Sequence, residues 1–354
     1  MKENKLTEQQ KERINDILTR EGFSQEQKDV ILSSFKEFGN HYEFYKNNTN
    51  YSNVLNNLSN DKNPSMPIYQ QLKMAYEAEE LQKFCSLLKQ KNLTLPDAIS
   101  LNYYSNNILV SQIKRMETAK KNSYLPFIKK DLFEKFDFDE IATKKLNDFL
   151  NYIHSLDCNS PEYFKKVVVT ASNDEFINKY TEEINLYAAN YRFYYNALHA
   201  IKKLDVALKN QIPYNIVVYR GIKKEDLANL LNKHKYFFEN KNSSSIVGEK
   251  ISDDGYTSTS LRYDVCFANR AFKTLCLRIL VPKGTQGVDI SNFSSYGFEE
   301  EVLFNSNDLF LIDYKYNTDL NQHFFTAFML SKDRECYKNI APKLNLENDE
   351  EENE

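Results

Sequence analysis

Glu299 and Glu301 stand one residue apart at the head of an apolar run, in the stretch Gly297-Phe-Glu-Glu-Glu-Val-Leu-Phe304. Read as a strand over 299–304, the side chains alternate faces with a period of two. Glu299, Glu301 and Leu303 then share one face, and Glu300, Val302 and Phe304 the other. Two carboxylates roughly 7 Å apart on one face are costly unless a ligand or a cationic partner meets them. An edge strand that keeps its charges in water to block aggregation has the same pattern. The preceding loop carries Phe293, Tyr296 and Phe298, three aromatics with no regular period.

Two arginines sit where an anion could be met. The β-branched and aromatic run 216–219, Ile-Val-Val-Tyr, predicts a strand, and it ends in Arg220-Gly221. A glycine there lets something approach the backbone, and a guanidinium is well shaped to fork a phosphate. A structural ion pair is the alternative. Arg278 interrupts a strand over 275–281 that is hydrophobic enough to be central, and a buried arginine demands an anion. Between the two lies Tyr256-Thr-Ser-Thr-Ser260-Leu261. As a strand it places Ser258 and Ser260 on the face of Tyr256, and Thr257 and Thr259 on the other. Small hydroxyls inside a sheet bond locally or hold a neighbouring carboxylate in place.

The elements that position these groups follow from glycine usage and hydrophobic period. Of the eight glycines, only Gly22 and Gly39 precede residue 220, so the chain reads as helical first and rich in strands and turns later. Thr7-x-x-Gln10 and Ser24-x-x-Gln27 are capping-box patterns ahead of apolar residues at helical spacing. Residues 40–67 read as a loop, and helices follow from Ile68, from Thr94-Leu95-Pro96-Asp97 and over about 133–150. A tyrosine-rich helix is expected over 178–208. No strand pattern occurs before about residue 165. Asp253-Asp254-Gly255 is a turn signal after a polar excursion over 230–248, a helix is expected over 265–272, and strands over 308–314 and 324–330 complete the sheet. The chain is therefore read as α+β: a helical region over 1–155 serving recognition or delivery, a strand-containing domain over 156–340, and an acidic tail over 341–354.

Composition removes several classes. A net charge of -4 gives no basic field for nucleic acid. No apolar run is long enough to span a bilayer, and the N-terminus lacks the apolar core of a Sec signal. The five cysteines, Cys85, Cys158, Cys266, Cys276 and Cys336, are scattered without CxxC spacing and read as buried small hydrophobes in a reducing compartment. The five histidines form neither HxxxH nor HExxH, so no metal site is expected.

Tyr219-Arg220-Gly221, then Ser258-Thr259-Ser260, then Glu299-x-Glu301 stand in one order. The order resembles the arginine–serine–glutamate class of mono-ADP-ribosyltransferases, the bacterial exoenzymes that include the actin-modifying binary toxins. The likeness covers about residues 160–330. It extends to the aromatic before Ser258, Arg278 in its strand, the Pro282-Lys-Gly284 turn and the Tyr296-x-x-Glu299-x-Glu301 spacing. It implies a helical region followed by an ADP-ribosyltransferase-like fold of two small facing β-sheets with flanking helices, and NAD as substrate in the cleft between them. Arg220, with Gly221 beside it, and Arg278 would hold the phosphates. Ser258, with Thr259 beside it, would steady the catalytic carboxylate, and Tyr180 would lie on the nicotinamide side. Glu301 would bind the ribose 2′-hydroxyl and stabilise positive charge as nicotinamide leaves, much as glycosidase carboxylates do. Glu299 would orient and deprotonate the acceptor, and Tyr296 and Phe293 would touch the target protein. In this class a first Glu goes with arginine acceptors and a Gln with asparagine.

The chain departs from the pattern in three places. Tyr180-Thr-Glu-Glu-Ile184-Asn185 is shorter than the usual arrangement, Gly255 replaces a polar NAD contact of some relatives, and the N-terminal half does not resemble the second copy found in binary toxins, so actin is not implied. The reading is thus a protein-arginine mono-ADP-ribosyltransferase. It would be a cytoplasmic enzyme, or a toxin or effector secreted by a non-Sec route into a host cytosol. The alternatives are an NAD glycohydrolase and a non-catalytic binding module on the same fold.

Overall fold

The computed structural model describes residues 6–34, 49–59, 78–107, 109–119, 128–130, 132–133, 139–231, 238, 242–265, 275–318 and 322–338. Its helices are α1 (Glu8–Arg20), α2 (Gln25–Ser34), α3 (Ser52–Ser59), α4 (Ala78–Gln90), α5 (Leu95–Asn106), α6 (Leu109–Ala119), α7 (Glu140–Ser155), α8 (Tyr163–Ser172), α9 (Glu175–Asn178), α10 (Thr181–Ala207) and α11 (Lys224–Leu230). Its strands are β1 (Ile216–Ile222), β2 (Lys250–Asp253), β3 (Thr257–Ser260), β4 (Leu275–Val281), β5 (Gly287–Asp289), β6 (Glu301–Phe304), β7 (Asn307–Asn317) and β8 (Gln322–Ser331). The chain divides into two compact units. One combines Met1–Ser105 with Asp205–Glu354, and the other is Asn106–Leu204. The division differs from the expected boundary near 155, because the first helices pack with the sheet.

The first unit holds one sheet in the order β2-β7-β8-β4-β1-β3-β6-β5. All neighbours are antiparallel except β4 and β8. The expected pair of facing sheets is therefore joined into one ladder. The join is narrow: β1 meets β3 through the single pair Tyr219↔Ser260. Side chains alternate between two buried faces, as a sheet covered on both sides requires. One face gathers Val218, Leu277, Ile279, Val302, Phe304, Leu311, Phe325 and Ala327. On the other, Leu280, Phe310, Ile312, Phe328 and Leu330 meet Ile14, Ile17, Leu18 and Ile31 of α1 and α2.

Helix starts follow the capping chemistry. Thr7 and Gln10 form a reciprocal capping box. Ser24 and Gln27 do the same, at 2.9 and 3.3 Å. In the second unit α7 to α10 bury Leu150, Ile153, Tyr163, Val167, Ile184 and Tyr187 together, and Tyr180 is half-buried beside Phe176, ring centroids 5.3 Å apart.

Several expectations are corrected. Part of the expected loop over 40–67 is the helix α3. Cys85 is exposed, while Cys158, Cys276 and Cys336 are buried. The strand expected from 299 begins at Glu301. Most of the helix expected over 265–272, the acidic tail and Cys266 lie outside the described residues. Among the described residues no helix is long and apolar enough to cross a membrane.

The docking of α1 on the sheet has a measurable weight. Leu18 has no exposed surface, so Leu18→Ala is expected to cost about 2–5 kcal/mol in urea unfolding, whereas Thr7→Ala, which loses only a cap, costs about 1 kcal/mol.

Candidate active site

The pairing register places the chemistry. Thr326 of β8 lies opposite Arg278 of β4, Arg278 opposite Tyr219 of β1, Tyr219 opposite Ser260 of β3, and Ser260 opposite Glu301 of β6. Partners across a ladder share a face, so Arg278 and Glu301 lie on one row, three strand spacings or roughly 14 Å apart. Ser258 is two residues along β3 from Ser260 and shares its face.

Glu301 is the least expected member of this row. It is 6% exposed, and a carboxylate so placed strongly prefers its neutral form. Burial pushes its carboxyl up to about 7, a hydrogen bond from the Ser258 hydroxyl draws it down, and the charges of Glu299 and Asp289 push it up again. Its carbonyl accepts the Ile290 N–H at 2.9 Å, which ties it to β5 as well as β3.

Glu299 reaches the site by a different route from the one its spacing suggests. It ends a 3-10 turn, Gly297–Glu299, and Glu300 then takes a left-handed conformation, φ 47° and ψ 52°. A non-glycine residue there carries local strain of order 1 kcal/mol. The neighbours hold it: the Glu299 carbonyl accepts the Ser260 hydroxyl at 2.6 Å, and the Glu300 carbonyl accepts the Leu261 N–H at 3.1 Å. The two acids are thus neighbours across a reversed turn, with Glu299 half-buried and Glu301 buried.

The other expected residues divide. By alternation Arg220 is on the opposite face of β1 from Tyr219. It lies at the rim of the apolar face that holds Val218 and Leu277, with its guanidinium 3.7 Å from the buried Asp253 carboxylate. The structure therefore does not bring Arg220 onto the row of Arg278 and Glu301, and the ion-pair reading has a partner. Its side chain is still 23% exposed. Gly221 follows it on β1, opposite Cys276. Thr259 is buried and donates to the Val302 carbonyl at 2.8 Å, so it locks β3 to β6 instead of facing the acids. Phe293, expected at the target surface, is fully buried, whereas Tyr296 and Phe298 are 49% and 64% exposed. Phe298 is the exposed aromatic that sequence reasoning did not single out. Its position directly before the first acid was the available signal. Tyr180 belongs to the second unit.

A dinucleotide with a cationic ring and an anionic diphosphate suits this donor set. Glu301, its carboxyl raised by burial, would be offset by positive charge on a ligand, and Arg278 offers a cation on the same row. Among the described residues no group of three or more His, Cys, Asp or Glu could hold a metal ion.

Comparison with known proteins gives a consistent set. A curated relative, the NAD(+)–arginine ADP-ribosyltransferase EFV of Enterococcus faecalis, is 33% identical over 111 residues, 31% of this chain and 20% of the relative. The chain thus spans about a fifth of that relative's length. Among solved structures, C3stau2 of S. aureus with NAD is 16% identical with a TM-score of 0.39, over 72% of this chain and 97% of the other. The C3 exoenzyme of Clostridium limosum is 23% identical with a TM-score of 0.31, over 38% and 69%. The family model described as ADP-ribosyltransferase exoenzyme matches residues 137–332. That span is more than half of the chain and takes in β1 to β8 whole. This chain belongs to the ADP-ribosyltransferase exoenzyme family.

Proposed function

We propose that the protein is a mono-ADP-ribosyltransferase that moves ADP-ribose from NAD to an arginine of a target protein. The observation that carries the reading is the buried Glu301 with its Ser258 hydrogen bond, set on one row with Arg278. NAD supplies the glycosidic bond whose cleavage releases nicotinamide. Glu301 accepts from the ribose hydroxyl and faces the positive charge that develops on the sugar, in a site whose low polarity strengthens that attraction. Ser258 fixes the carboxylate's orientation. Arg278 binds the diphosphate. Arg220, paired with Asp253, stays off that row at the rim of the opposite face.

Glu299 pairs the acceptor guanidinium and draws off proton density, which a guanidinium must lose before it can attack. Tyr296 and Phe298 give the target protein an aromatic surface beside that acid. The relative named for arginine, EFV, supports this acceptor class. The toxin-type family supports a host protein as target, with delivery into a host cytosol.

Three outcomes test the proposal. With labelled NAD and lysate, Glu301→Gln abolishes both nicotinamide release and protein labelling, a loss of about 100-fold or more. Glu299→Gln keeps nicotinamide release and loses about 100-fold in labelling. Free ADP-ribose from the parent protein with no labelled protein would instead identify a glycohydrolase.

Second, Arg278→Lys weakens NAD binding about tenfold by titration, and an unchanged Kd would remove Arg278 from the site.

Third, Glu301 must ionise to act, so kcat/KM for NAD rises with pH through about 7. The stability sign is opposite. A carboxyl raised in the folded state contributes stability that is present at low pH and lost as pH rises through its folded value. Glu301→Gln is therefore more stable than the parent at pH 8, by up to about 3 kcal/mol, and the two converge toward pH 4. Equal melting temperatures at both pH values would show that Glu301 is not buried as described.

A further inference from the structure

The loop that carries Tyr296, Phe298 and Glu299 is held by the side chains of Asn50, Asn56 and Asn102. Asn50 Nδ2 donates to the carbonyls of Ser291 at 3.1 Å and Ser294 at 2.9 Å. Asn102 Nδ2 donates to the Phe293 carbonyl at 2.8 Å, and Asn102 has no exposed surface. Asn56 Nδ2 donates to the Ser295 hydroxyl at 3.1 Å. The contact is reciprocal, since Asn292 Nδ2 donates to the Thr49 carbonyl at 2.9 Å and the Tyr51 N–H donates to the Asn292 carbonyl at 2.8 Å. At the loop's start Lys91 Nζ meets the Asp289 carboxylate at 2.7 Å.

The fit is tight at Gly297. A Cβ there would fall on Asn50 Nδ2 and lie 2.8 Å from the Ser291 carbonyl oxygen, so the turn that ends in Glu299 is seated on Asn50. Beyond the turn, the Ser260 hydroxyl holds the Glu299 carbonyl at 2.6 Å. Glu299 and the two exposed aromatics therefore hang between an amide clamp on one side and β3 on the other. Glu301 depends far less on the clamp, because the β3–β6 ladder and Ser258 hold it directly.

We infer that Asn50 and Asn102 are positioning residues for the acceptor step, fixing Glu299, Tyr296 and Phe298 as a preformed surface for the target protein. The inference rests on the ADP-ribosyl transfer proposed above. Water can attack the ribose without that surface, whereas an arginine side chain must be aligned beside Glu299, and a misplacement of about 1 Å costs on the order of 100-fold. Loosening the clamp thus shifts the partition between transfer and hydrolysis, without removing NAD turnover.

Asn50→Asp is the discriminating variant. Asn50 is exposed, and its Oδ1 accepts the Ser52 N–H at 2.8 Å. The substitution keeps that acceptor and the shape, and removes both donations to the loop. With labelled NAD and poly-L-arginine as acceptor, transfer is expected to fall about tenfold or more while nicotinamide release without acceptor stays within about twofold. By hydrogen exchange, amides of 292–299 are expected to open faster in the variant, with those of β4 and β8 unchanged. Asn50→Ala gives the same pattern without an added charge. Parallel loss of transfer and hydrolysis would show a merely structural role and overturn the inference, as would unchanged transfer or unchanged exchange. A parent protein with no NAD turnover would refute the transferase reading instead, and the exchange measurement would then decide the clamp by itself.

Discussion

A carboxylate with 6% exposure is the constraint on which the site depends. Taking an ionised carboxyl out of water costs several kcal/mol unless hydrogen bonds or a cation offset it. Within the described residues Glu301 receives one offset, the Ser258 hydroxyl, and two additional burdens, the charges of Glu299 and Asp289. The protein reduces one of them with Lys91, 2.7 Å from Asp289. What remains is a carboxyl raised toward neutrality, for which positive charge is the natural complement.

The sheet makes that placement possible. Most of its strands are buried on both faces, and β4 and β8 read as near-continuous apolar runs in a well-paired ladder. It thins at Tyr219↔Ser260, the one pair linking β1 to β3. Arg220 follows directly on β1, Ser258 and Ser260 lie on β3, and Glu301 is the next step across. Polar groups from strands far apart in sequence are brought to that join by the pairing register.

Much of this was legible in the sequence. The run 275–281 matches β4 residue for residue, because a long β-branched and leucine-rich stretch between turn signals leaves little choice. The helix expected over 178–208 is observed as Thr181–Ala207, and the two N-terminal capping boxes are formed as read. These signals are local. What alternation alone could not show is that Glu300 adopts a positive φ, so that the strand starts two residues later, at Glu301, and Glu299 is re-aimed. Nor does Phe293 differ in type from Phe298. One is buried and the other exposed, and the buried one has its carbonyl held by Asn102, far away in sequence.

The same distance effect explains α3 and the split into units. An Asn- and Ser-rich segment has weak helix propensity, and residues 52–59 become helical where Asn50 caps the turn and Tyr51 and Leu55 are buried. Those residues meet carbonyls some 240 positions later. Hydrophobic periodicity reports which face of an element is apolar and says nothing of which partner covers it. The N-terminal helices could therefore be read as helices while their part in the catalytic unit could not. Their apolar faces are completed by β4, β7 and β8, and their amides by the loop before Glu299. The loop before Glu299 is held by amides some 190 to 240 positions earlier in the chain as well as by its own backbone.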